Sequence, residues 1–158
     1  MASFIIPMTI QRASGAYTGP MVLFDNRNGT KIVQIDNIKV YGTVNLNEVN
    51  IYSLRGGVTI GTLSANTAIT PVSEVVDGAA PNMRGCIIYE WNGINLGIGG
   101  VTENGTLLDL AVLGMGASML EIGTGIIIPS GKVLAIYAKG TSSATNVTCV
   151  TVHGRIED

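Results

Sequence analysis

Few residues in this sequence are able to perform nucleophilic or acid–base chemistry, and the most suggestive pair is Cys149 and His153. His153 is the only histidine of the chain, so a cysteine or serine nucleophile that relies on an imidazole base would have to use it. Strand-like sequence surrounds both residues, and a spacing of four positions on a strand separates them by roughly 13 Å. A nucleophile and its base must lie within about 3 Å. We therefore interpret both as ordinary strand residues.

A glycine-rich stretch, Gly114-Met115-Gly116-Ala117-Ser118, comes closest to a serine-nucleophile or nucleotide-binding motif. It lacks the last glycine of the Gly-X-Ser-X-Gly elbow. It also fails as a dinucleotide-binding motif, because Met119 occupies the final glycine position and no helical pattern follows. We interpret this stretch as a turn or loop.

The acidic residues are scattered along the chain, and two of them, Glu90 and Glu121, have apolar neighbours in sequence. A buried carboxyl group has a raised pKa, and a pair of carboxyl groups can hydrolyse glycosides. A place at a sheet edge or an interface is the commoner explanation. The segment Asp25-Asn26-Arg27-Asn28 offers oxygen donors for calcium, but Arg27 interrupts them. It is typical of a turn stabilised by Asx side chains.

Tyr89, Trp91 and Asn92 leave a carbohydrate-binding function open, since aromatic rings on a strand can stack against a sugar ring. Trp91 is the only tryptophan, and a single tryptophan more often anchors a core or an interface. The sequence therefore predicts a protein that is not an enzyme, with no catalytic, cofactor-binding or metal-binding residue and no cofactor.

Composition indicates self-assembly. Charged residues make up 13% of the chain, against about 25% in an average domain, while 46% is hydrophobic and the mean hydropathy is +0.40. Apolar surface on such a chain is expected to meet another subunit, although Asn, Thr, Ser and Gly could also cover it. The basic residues stand singly, which argues against a nucleic-acid partner. Glu121 and several glycines interrupt the apolar stretch 110–128, which argues against a membrane span.

Short β-rich segments alternate with turn residues, including the pairs Asn28-Gly29 and Asn104-Gly105. The alternation slips near Asp36-Asn37, which predicts either a bulge or two strands in succession. The expected fold is all-β, an antiparallel β-sandwich of jelly-roll-like type, with residues 1–158 as a single domain in which 1–18 could form an extended N-terminal arm. The predicted strands are 21–24, 31–41, 49–54, 58–63, 84–91, 106–113, 125–128, 132–139 and 146–156, with 67–77 as an edge or loop.

The order of these segments resembles that of β-sandwich virion proteins of tailed phages. The resemblance rests on residues 29–40, 67–72, 127–136, 141–145 and 154–158 and spans roughly residues 20–158. It implies a capsid decoration, fibre-base or tail component that forms a homo-oligomer, expected to be a trimer, and binds other virion proteins. The absence of a secretory signal and of a cysteine framework predicts synthesis in the host cytoplasm, with the virion as final location.

Part of the segment 93–128 is predicted to lie in the subunit interface, because its apolar residues exceed what one thin layer can bury and its glycines let backbones approach closely. Leu113→Asp should therefore dissociate the oligomer, since a buried unpaired charge costs several kcal/mol. Size exclusion coupled to light scattering gives the mass directly. A fully assembled variant would show that the interface lies on another face.

Overall fold

A computed structural model describes residues 1–12, 17–42, 46–54, 66–91, 105–112, 119–140 and 146–157. All regular secondary structure in these residues is β-strand. The strands are β1 Ala2–Arg12, β2 Tyr17–Asp25, β3 Val33–Gly42, β4 Leu46–Leu54, β5 Asn66–Ile69, β6 Val72–Ser73, β7 Ile87–Trp91, β8 Gly105–Val112, β9 Met119–Ile128, β10 Val133–Gly140 and β11 Asn146–Ile156.

The strands form two sheets. Sheet A has five strands in the order β6-β1-β11-β3-β9, and sheet B has six in the order β5-β7-β2-β10-β4-β8. Every neighbouring pair is antiparallel. Eight of the ten pairs of consecutive strands lie in different sheets, as in a jelly roll. The predicted all-β sandwich is thus confirmed.

The core lies between the sheets and is built by the inward residues of alternate strand positions. Each sheet contributes one fully buried aromatic ring among the described residues, Phe4 from β1 and Phe24 from β2. The other core residues are aliphatic, apart from Cys86: Ile6, Val22, Val33, Ile35, Ile38, Val40, Ile88, Ile128, Leu134, Ile136, Val150, Val152 and Ile156. Burial of this apolar surface is the main force that joins the sheets.

A bulge at Asp36 interrupts β3, which is the first of the two alternatives that the sequence left open. On the β11 side, Asn37 pairs with His153 and Ile35 with Gly154, so Asp36 is the extra residue. On the other side β9 also changes register, and Gly125 adopts a φ of 60° there. This left-handed conformation suits glycine at a bulge. Before the bulge the odd-numbered positions of β3 are buried, and after it the even-numbered positions are buried. The apolar residues of β3 therefore face the core on both sides of the bulge.

Two sequence expectations need correction. The N-terminal residues are not an extended arm: β1 pairs with β11 over its whole length, from Ala2 opposite Ile156 to Arg12 opposite Asn146. Burial of Phe4 and Ile6 explains this placement. Strand β7 begins at Ile87 rather than at position 84, because Arg84 and Gly85 form a turn with φ values of 50° and 90°.

Of the other expectations, several agree with the structure, some strand starts differ from it, and some fall outside the described residues. Strand β11 has the predicted bounds, and Pro71 separates two short edge strands within the region predicted as an edge or loop. Strand β9 begins at Met119, six residues before the predicted start, because the bulge accommodates Gly123 and Gly125 within one strand. The predicted strand 58–63 and the loop 93–104 lie outside the described residues.

The bulge brings β11 and β3 so close that position 154 must be glycine. A Cβ atom on Gly154 would lie 2.5 Å from the carbonyl oxygen of Gln34 and 2.6 Å from Cζ of Phe4. We expect Gly154→Ala to lower the free energy of unfolding by about 1–3 kcal/mol, as overpacked cores do. Urea denaturation measures the loss. Gly123→Ala is the matched control, because nothing lies within 4 Å of its added Cβ; equal losses in both variants would contradict this account.

Candidate functional site

The Cys149–His153 pair lies on one strand and makes no catalytic contact. Cys149 pairs in register with Thr9 and His153 with Ile5, so the two residues stand four positions apart on extended β11, roughly 13 Å. The imidazole has a different neighbour, because its Nδ1 lies 3.1 Å from Oε1 of Glu74. Glu74 follows the edge strand β6. The contact therefore fastens the segment after β6 to the outer face of sheet A.

Both cysteines are free thiols, and Cys86 lies in the core. Burial raises the pKa of the Cys86 thiol to about 12, and the nearby Asp25 carboxylate acts in the same direction. A thiol in this environment is protonated at neutral pH and is a poor nucleophile. Cys149 is half-buried.

The two carboxylates singled out in the sequence are separated by the fold. Glu90 pairs in register with Val22 and Thr67 in sheet B. Glu121 lies on β9 at the edge of sheet A, where it is exposed and accepts a 2.7 Å hydrogen bond from Nδ2 of Asn37. Because the two residues belong to different sheets and one is exposed at an edge, they do not form a glycosidase pair.

The loop Asp25–Asn28 is a turn and not a calcium site. The guanidinium of Arg27 donates to both oxygens of Asp25, each at 2.9 Å, and the backbone N–H of Arg27 donates to Oδ1 of the same carboxylate. Burial raises the pKa of Asp25, but these hydrogen bonds and the charge of Arg27 outweigh it, so the pKa is lowered overall. The predicted Asx turn is confirmed, and Arg27 occupies the oxygens that a cation would need.

Asn26 is fully buried and connects this turn to three other parts of the chain. Its Nδ2 donates to the carbonyl oxygens of Lys31 and Ile128, at 2.9 and 3.1 Å. Its backbone N–H donates to the carbonyl of Lys132, and its own carbonyl accepts from Gly29 and Gly131. The β2–β3 loop and the β9–β10 turn are thus held together at one end of the sandwich.

The outer face of sheet A carries a polar network at the β3 bulge. Asp36 accepts two 2.8 Å hydrogen bonds from the guanidinium of Arg155 and a third, also 2.8 Å, from Nε2 of Gln34. The hydrogen bonds from Arg155 lower the pKa of Asp36. Sequence reasoning missed this network, since Asp36 and Arg155 lie far apart in the chain and only strand register brings them together.

Of the three residues proposed to bind a sugar, Tyr89 is the one whose side chain the structure describes. Tyr89 on β7 is half-buried, and its pairing partners are Leu23 and Ala68. Trp91 ends β7 opposite Asn66, whereas Asn92 and the motif 114–118 lie outside the described residues.

Within the part of the chain that the structure describes, no cluster of three or more histidine, cysteine or acidic side chains could hold a metal ion. The same residues contain no helix of the length and hydropathy that spanning a membrane would require. Comparison of the chain with protein-family models, curated proteins and solved structures found no match.

The Asp36–Arg155 pair makes stability depend on pH. The pKa of Asp36 is lower in the folded state than in the unfolded state, where it is about 3.9. The contribution of the Asp36 carboxylate to the free energy of unfolding is therefore fully present above the unfolded-state pKa and is lost as pH falls through the folded-state pKa. The side chains of Arg155 and Asp36 are 43% and 32% exposed, so solvent screens the pair and Asp36→Asn should cost about 0.5–1 kcal/mol at pH 7. The difference from wild type should shrink at pH 2.5.

Urea midpoints at the two pH values measure this dependence. Arg155→Gln provides the control background, because it removes the partner that lowers the pKa of Asp36, so Asp36→Asn should cost less in it than in the wild-type chain. A loss for Asp36→Asn that is the same at both pH values would contradict the electrostatic explanation.

Proposed function

We propose that this protein is a non-enzymatic structural subunit of a virus particle, a capsid decoration or a tail or fibre component. It would be made in the host cytoplasm and act by assembling with copies of itself, most simply as a trimer, and by binding other virion proteins. The resemblance to sandwich proteins of tailed phages motivates the viral part of the proposal. The physical properties of the chain motivate the assembly part.

The observation that carries the proposal is apolar surface on a chain with little charge. Val75 and Val76 are 70% and 88% exposed on an ordered turn, and Ile127 on β9 is 57% exposed. Isolated exposed apolar residues are common in monomers. Here they accompany a charge content of 13%, about half the average. Burial against another subunit would remove this surface from water.

The sheet edges support the same proposal. Strand β9 is an edge strand of ten residues with a single charged residue, Glu121, and among the described strands it pairs with β3 alone. A long edge with little charge is a template for pairing with another chain. Closed rings of subunits are one way in which β-proteins cover such edges.

A carbohydrate-binding function is the second candidate. Tyr89 and Trp91 lie two positions apart on β7. Tyr89 is half-buried and therefore keeps part of its ring accessible. A platform of this kind would recognise a surface glycan, and it is compatible with a place in the same particle.

Two measurements on the purified full chain test the proposal. Size exclusion coupled to light scattering should give a mass that is a multiple of the chain mass of 16.4 kDa, with three copies as the expected value. A clean monomer at micromolar concentration would contradict self-assembly. A glycan array should show no binding to a purely structural subunit, whereas specific hits that Tyr89→Ala abolishes would favour the carbohydrate-binding function.

A further inference from the structure

The fold gathers basic residues that stand apart in the sequence. Arg27 lies in the loop 26–30, and each of three other basic residues is tied to this loop through its own carbonyl oxygen. The carbonyl oxygen of Lys31 accepts a hydrogen bond from Nδ2 of Asn26, and that of Lys132 accepts one from the backbone N–H of Asn26. The carbonyl oxygen of Arg84 accepts a hydrogen bond from the backbone N–H of Thr30, at 3.0 Å. We call this end of the sandwich, formed by 25–32, 82–86, 129–132 and Glu157, the basic pole.

The basic pole has an excess of positive charge. Its four cationic side chains meet two anionic ones, Asp25 and Glu157, in a chain whose net charge is −2. Asp25 is occupied by Arg27. In the described residues, no carboxylate lies within ion-pair distance of Lys31, Arg84 or Lys132. Pro129 is exposed and Met83 half-buried in the same cluster, so apolar surface lies beside the charges.

A second exposed feature has the complementary character. We call residues 74–77 the acidic tip: Glu74 and Asp77 flank the exposed pair Val75-Val76. Glu74 contacts His153 through one carboxylate oxygen, at 3.1 Å, whereas Asp77 is exposed and has no ion-pair partner among the described side chains. The tip is ordered by two hydrogen bonds, from the N–H of Val75 to Oγ of Ser73 at 3.0 Å and from the N–H of Gly78 to the carbonyl of Val75 at 2.9 Å. An ordered turn loses little conformational entropy when it binds.

We infer that the acidic tip of one subunit docks on the basic pole of a second copy of this chain. The opposite charges of the two features select this occupant, and the valines would bury apolar surface against Pro129 and Met83. Because the two features differ, the contact is head-to-tail, a geometry that can close into a ring. This inference rests on the proposed function and specifies which surfaces the subunits use.

Charge contacts of this kind act mainly on specificity and association rate, and salt screens them. Neutralising the pole with Lys31→Gln, Arg84→Gln and Lys132→Gln together should weaken self-association about tenfold or more at 0.1 M salt. Neutralising the tip with Glu74→Gln and Asp77→Asn should act in the same direction. Lys39→Gln is the control, because Lys39 belongs to the outer face of sheet A, where it pairs with Glu121.

Charge reversal gives the decisive test. One variant reverses the pole (Lys31→Glu, Arg84→Glu and Lys132→Glu), and another reverses the tip (Glu74→Lys and Asp77→Lys). Each should be a folded monomer alone, with a wild-type circular dichroism spectrum. Mixed in equal amounts, they should form complexes that contain both variants, detected by light scattering and native mass spectrometry.

The outcomes separate this inference from the proposed function. If the wild-type chain assembles and the pole and tip variants assemble equally well, the contact between tip and pole is overturned, while self-assembly stands. A wild-type monomer would overturn both. If the two charge-reversal variants are monomers alone and form no complex when mixed, the pairing of tip with pole is overturned, because their loss of assembly then has another cause.

Discussion

The buried side chain of Asn26 is the constraint on which one end of this sandwich depends. A buried polar group is costly without hydrogen-bond partners, and the Nδ2 of Asn26 finds two, on segments that adjoin both sheets. The Oδ1 of the same side chain is buried without a partner among the described residues. The loop that follows β2 and the turn that precedes β10 adjoin strands of sheet B. Lys31 lies just before β3 and Ile128 is the last residue of β9, and both of these strands belong to sheet A. One residue therefore fixes how the loops of two sheets meet. Gly29 takes part too, since a Cβ there would collide with Oδ1 of Asn26.

This fixed end has a consequence for the charges of the protein. Lys31, Arg84 and Lys132 are hydrogen-bonded through their carbonyl oxygens to the loop that carries Arg27. Of these four basic side chains, Arg27 alone has a carboxylate partner among the described residues, Asp25. Backbone hydrogen bonds are satisfied inside the protein, and the charged groups remain available to solvent or to a partner. A surface of this kind costs little stability to maintain, because exposed charges keep their hydration.

The β3 bulge is the second place where local geometry decides long-range structure. One extra residue turns both Asp36 and Asn37 toward the outer face, where Asp36 meets Arg155 and Asn37 meets Glu121. The same bulge brings Gly154 against Gln34 and Phe4. Polar pairing outside and close packing inside thus have a common origin, and neither arrangement could exist with a regular β3.

The sequence by itself determined the fold class, most strand positions and the bulge, because these depend on local alternation of apolar and polar residues. The break between Ile35 and Ile38 is visible in the sequence, since both residues must face the core. The Asx turn at Asp25 was equally local, as its hydrogen bonds join residues two positions apart.

Tertiary structure alone decided which distant residues meet. Nothing near His153 indicates Glu74, and nothing near Lys31 indicates Arg84 or Lys132. Consecutive strands mostly lie in different sheets, so neighbours within a sheet come from remote parts of the chain. The N-terminal strand illustrates the same limit: its place between β6 and β11 depends on burial of Phe4 and Ile6 against strands that follow much later. Local patterns specify strands, whereas packing of the whole core selects their partners.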